Sequence, residues 1–155
     1  MPAPKSSRLY VPALAGLYES LWEWVWLVLR LASGLMLAAH GLWKFGYLGG
    51  PGLTGVAGFF DKTGYAPGSV WAPTLATFEV IGGLLLAVGL FTRPVALVGL
   101  IQMLLVTHYH TRYGFWHNVQ GAGVEYPIMW AAMMLLFTIR GGGSMSVDAR
   151  MSKEI

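Results

Sequence analysis

Residues Ala76 to Pro94 read ATFEVIGGLLLAVGLFTRP, an apolar run that holds one acid, Glu79, and closes on Thr92-Arg93-Pro94. An acid at the centre of an apolar helix in lipid costs roughly 2.5–3.5 kcal/mol, so it needs a partner or a water-lined cavity. Ala76, Gly83 and Ala87 recur at helical spacing, and small residues on one stripe let a second helix approach closely. Glu79 lies on the same side, one turn after Ala76. The helix is therefore expected to face the inside of a bundle and to carry its acid there.

The rest of the chain agrees with a membrane setting. Of 155 residues, 55% are hydrophobic and 11% charged, and the mean hydropathy is +0.57. A soluble domain carries about 25% charged residues. Backbone groups in lipid are satisfied within helices or closed barrels, and these runs are too continuous for the alternating strands of a barrel. The expected fold class is all-α: an integral membrane bundle of four transmembrane helices, forming one membrane domain over 1–155. The net charge of +3 comes without a basic stripe, so no nucleic-acid partner is expected and the partner surface is the lipid bilayer. The absence of Cys removes disulfides, thiol redox chemistry and iron–sulfur clusters.

The spans are expected at about 21–40, 73–90, 95–110 and 126–139, with loops at 41–70 and 111–124. Within the longer loop, Val56 to Lys62 reads as a short interfacial helix with Phe59 and Phe60 toward lipid. With the N-terminus inside, the inner segments carry Lys5, Arg8, Arg93, Arg140, Arg150 and Lys153, and the outer ones only Lys44, Lys62 and Arg112. The positive-inside rule then places both termini in the cytoplasm and both loops outside. In that orientation His40, His108, His110 and His117 gather at the outer face. Glu79 and Gln102 lie roughly 9 Å below it and Arg30 roughly 15 Å below it, at 1.5 Å rise per residue. Arg30, Gly34, Leu37, Gly41 and Lys44 form one stripe. The polar residues thus read as a funnel leading from the outer surface to mid-membrane.

The ordered set Arg30-x3-Gly34-x5-His40-Gly41-x2-Lys44, Glu79-x2-Gly82-Gly83, Gly89-Leu90-x-Thr92-Arg93, Gly123-x-Glu125-Tyr126 and Gly143-Ser144-x-Ser146-x-Asp148 resembles the DoxX family of small four-helix membrane proteins. That family is similar to the DoxD membrane subunit of thiosulfate:quinone oxidoreductase, which reacts with quinone. The resemblance implies a multi-pass protein of a bacterial or archaeal cytoplasmic (inner) membrane. It also implies a quinone-interacting subunit of an electron-transfer oxidoreductase complex, with other membrane or periplasmic redox proteins, or further copies of itself, as partners. Other relatives imply a non-catalytic accessory subunit or an assembly chaperone instead.

A quinone head group needs donors at its two oxygens and an apolar slot for its tail. In the quinone reading, Arg30 and Glu79 pair, directly or through water, and set the floor of the site. His40 and Lys44 contact the head group, and Gln102 or His108 adds a hydrogen bond. The catalytic candidates are therefore Arg30, His40, Lys44 and Glu79, and the cofactor-binding ones His40, Lys44, Glu79, Gln102 and His108. His108, His110 and His117 are the candidate ligands for copper or zinc. On a helix, however, the two rings of an H-x-H pair diverge, and no metal is expected.

Overall fold

The computed structural model describes residues 9–116 and 123–151, and among these residues every regular element is helical. The helices are α1 (Ala15–Lys44), α2 (Gly52–Thr63), α3 (Gly68–Val88), α4 (Thr92–His110) and α5 (Glu125–Arg140). Short 3-10 turns lie at Pro12–Leu14, Thr111–Tyr113 and Asp148–Arg150. The stretches Pro12–Lys44 and Gly68–Val88 are long and apolar enough to cross a membrane. α4 and α5, at 19 and 16 residues, fall just short of the roughly 20 apolar residues of a full span, and Arg93, Gln102 and two histidines interrupt α4.

Local chemistry sets the helix ends. α3 stops at Val88 because Gly89 takes the left-handed conformation, φ 74°, and the N–H groups of Gly89 and Leu90 both fold back onto the Leu85 carbonyl, a Schellman-type closure. The expected boundary at Leu90 is thus two residues late. α3 also begins earlier than expected, at Gly68, with Pro73 inside its first turns; the Gly68 N–H is capped by the Asp61 carboxylate of α2 at 2.7 Å. α1 runs on to Lys44, so the expected long loop is mostly helix, and its short helix is α2.

α1 packs against α3, α4 against α5, and α2 against α3, which it meets at Gly68, the start of that helix. The α1–α3 contact has the small-residue character read from the sequence. A Cβ on Gly34 would collide with the backbone of Gly83 and Ala87, and one on Gly83 with the backbone of Gly34 and Ala38. A Cβ on Gly41 would meet Ala76 and Val80. Such backbone-to-backbone approach supplies the dispersion contact that holds helices together where lipid offers no hydrophobic gain.

The half of the bundle away from α2 is close-packed. Trp26, Leu37, Leu86, Val95, Ala96, Met134 and Phe137 form its core, with the Trp26 and Phe137 rings 5.0 Å apart. The segment after α5 folds back beneath this core. Arg30, 1% exposed, donates to three carbonyls: Ala87 at 3.3 Å, Gly142 at 2.6 Å and Met145 at 3.0 Å. Trp26 Nε1 donates to the Gly141 carbonyl at 3.2 Å, and Ser144 Oγ donates to the Glu23 carboxylate at 2.7 Å. The Asp148 carboxylate accepts the N–H of Phe91 at 2.8 Å and of Thr92 at 2.9 Å. These bonds cap the start of α4 and hold Phe91 at φ 52°, a left-handed conformation that a bulky residue rarely adopts unaided. Residues 141–150 therefore form a clasp across α1, the α3–α4 turn and α4.

Candidate functional site

The half of the bundle nearer α2 is not filled. All five helices border a cavity of about 620 Å³ there, within the 300–1,000 Å³ typical of small-molecule sites. Its walls are aromatic and aliphatic, with Phe59, Phe60 and Tyr65 on the α2 side, Trp71 on α3, Tyr109 on α4 and Trp130 on α5. The rings pack on each other: Phe59 and Tyr109 lie 5.5 Å apart and Tyr65 and Tyr109 6.5 Å apart. Phe59 and Phe60 therefore face the cavity, where the sequence reading pointed them at lipid. Phe59 is still partly exposed.

The floor is polar and comes from three helices. The Glu79 carboxylate on α3, 2% exposed, accepts a bond from Lys44 Nζ of α1 at 2.5 Å and another from the Gln102 amide of α4. Lys44 is one turn beyond Gly41, the glycine that lets α1 touch α3, so the close approach delivers the ammonium to the acid. The Lys44 side chain keeps 17% exposure and lines the cavity. His40, one turn back on α1, borders the same space, and its Nε2 lies 3.4 Å from the Tyr126 hydroxyl at the start of α5.

The candidate residues thus divide into two groups. His40, Lys44, Glu79 and Gln102 converge on one cavity. Arg30 does not join them: its guanidinium is spent on the clasp carbonyls, so the expected Arg30–Glu79 pair is replaced by Lys44–Glu79, and Arg30 forms no part of the cavity floor. His108 is exposed and outside the cavity lining, whereas His110, two residues on and turned to another helix face, lies within it. The hydrogen bond expected of His108 is thus corrected, because residues two apart on a helix point to different faces. His110 Nδ1 lies 2.7 Å from its own helix's Val106 carbonyl. His117 lies outside the described residues, among which no three His, Asp or Glu side chains come together.

The sequence reading missed Tyr65, Tyr109 and Trp130 as cavity walls. Tyr65 and Tyr109 stand near helix ends, where an aromatic residue reads as membrane-interface anchorage; only the spatial arrangement turns them, and Trp130 within α5, inward.

The family model described as DoxX matches residues 25–112, a range that includes His40, Lys44, Glu79 and Gln102. An uncharacterized membrane protein of Mycobacterium tuberculosis is 29% identical over 136 residues, covering 81% of this chain and 80% of that protein. No solved structure matches the chain at a significant level.

Proposed function

The chain belongs to the DoxX family and is a membrane protein, and on that premise we propose that it is a quinone-interacting membrane subunit of an electron-transfer complex. The observation that carries this reading is the cavity of about 620 Å³ with aromatic walls and a Lys44–Glu79–Gln102 floor. A head group seated on that floor meets the Lys44 ammonium as a donor. Glu79 balances the charge of Lys44, so the pair as a whole accepts a neutral ligand. His40 and Tyr126 border the head group from α1 and α5, and the aromatic walls flank it. A quinone held by Lys44, Glu79 and Gln102 would supply the two-electron chemistry for which the chain has no thiol, with a partner redox protein as the electron source.

Four membrane crossings, by α1, α3, α4 and α5, place α2 and the cavity on the outer side and the clasp inside. Support comes from the sequence bias of six cations, Lys5, Arg8, Arg93, Arg140, Arg150 and Lys153, on the inner segments against three, Lys44, Lys62 and Arg112, on the outer ones, the asymmetry that sets orientation. Single cysteines at Ser7, Lys62, His117 and Ser152 provide the test with an impermeant thiol reagent. Labelling at 62 and 117 only is expected; labelling at 7 and 152 only would invert the topology.

The quinone reading predicts that protein purified in mild detergent yields extractable quinone near one per chain. His40→Ala and the charge-neutral pair Lys44→Met/Glu79→Gln are expected to lower that content at least fivefold while the protein still elutes as one species. Wild-type protein free of quinone, gently solubilised from quinone-containing membranes, would count against the reading and favour an accessory role.

A further inference from the structure

We propose that the cavity floor selects the reduced head group, binding a hydroquinone through its hydroxyl in preference to the corresponding quinone. The proposal rests on the quinone reading above and specifies which redox form the site is built to hold.

Glu79, paired with Lys44 as a carboxylate, only accepts hydrogen bonds. Its two oxygens take Lys44 Nζ and Gln102 Nε2. The amide nitrogen must therefore face Glu79, since the reverse assignment would set oxygen against oxygen. That leaves Gln102 Oε1 as an acceptor. It is buried, in a residue 8% exposed, and has no hydrogen-bond partner among the described residues. Buried polar atoms in folded proteins almost always find a partner, so Oε1 calls for a donor. Gln102 belongs to the cavity lining, so this acceptor lies at the boundary of the space a ligand would fill.

The two redox forms meet this floor differently. A quinone carbonyl only accepts: it satisfies Lys44 but presents a lone pair to Gln102 Oε1. A hydroquinone hydroxyl does both, donating its proton to Oε1 while its oxygen accepts from Lys44. A ligand gains affinity by giving a buried acceptor the donor it lacks and loses it by setting a second acceptor against it. The hydroxyl does the first and the carbonyl the second. A carboxylate ligand is disfavoured for a separate reason, since it would sit beside Glu79.

The test is an anaerobic calorimetric titration of the full chain in detergent. It uses a short-tailed benzoquinone, its hydroquinone, and the dimethyl ether of that hydroquinone, which keeps the ring but has no O–H. The hydroquinone is expected to bind at least tenfold more tightly than the other two, an equilibrium difference of about 1.4 kcal/mol. Gln102→Leu is expected to bring the three affinities within about threefold. The wild-type comparison stands by itself if that variant fails to fold. Equal or tighter binding of the quinone overturns the selectivity and leaves the quinone site standing. Equal binding of the ether and the hydroquinone also overturns it, since the hydroxyl would then play no part. Binding of none of the three overturns the site reading as well.

Discussion

Replacing Arg30 with Met is expected to destabilise the protein by on the order of 4 kcal/mol. Charge-assisted hydrogen bonds contribute about 1.5–3 kcal/mol each, and Arg30 makes three, to Ala87, Gly142 and Met145. Relief of the cost of burying a guanidinium offsets part of the loss. The substitution leaves three carbonyls without their donor and frees residues 141–150, so Asp148 should lose its hold on Phe91 and Thr92. Limited proteolysis in detergent is expected to cut the variant after Arg140 at least tenfold faster than wild type. Arg30→Lys should recover only a small part, because an ammonium cannot span three carbonyls in the fixed fork of a guanidinium. If Arg30→Met matches wild type in both stability and cleavage, the clasp is not held by Arg30.

Glu79→Gln is expected to cost about 2–4 kcal/mol, measured by denaturant titration in mixed micelles. Breaking a fully buried pair typically costs 3–5 kcal/mol; the lower range allows for the 17% exposure of the Lys44 side chain. Lys44→Met should cost a similar amount by stranding Glu79. The double variant should be clearly more stable than the sum of the singles, with a coupling of at least ~1.5 kcal/mol. Losses that add to within about 0.5 kcal/mol would show that the two residues act independently.

How far the chain can be read without coordinates differs between the two ends of α1. The stripes Gly34–Gly41 and Ala76–Gly83–Ala87 follow from periodicity, and they are the surfaces on which α1 and α3 meet. The register of that meeting does not follow from periodicity. Arg30 and Lys44 share a stripe with Gly34 and Gly41, and either cation could be matched to the acid of α3. Once Gly41 faces Ala76 and Val80, Lys44 falls beside Glu79; once Gly34 faces Gly83 and Ala87, Arg30 falls beside the end of α3. The partners of Arg30 escaped the sequence reading for a second reason: they are main-chain carbonyls, which every residue possesses and no motif marks. The polar residues of the cavity were legible because a charge in an apolar run stands out. Its walls were not, because an inward Tyr and an interfacial Tyr look alike in sequence.

The clasp also has a bearing on the order in which the molecule can be assembled. A nascent chain is made from its N-terminus, so α1 leaves the ribosome with its guanidinium long before anything exists to receive it. The Ala87 carbonyl arrives 57 residues later, and those of Gly142 and Met145 arrive 112 and 115 residues later. Until then, the helix that carries Arg30 must be held by water, lipid headgroups or the insertion machinery. Its burial is therefore completed not by the formation of α5 but by the docking of the short polar stretch behind it. Translation that stalls within α5 delivers every glycine contact between α1 and α3, yet leaves a buried cation with a single acceptor.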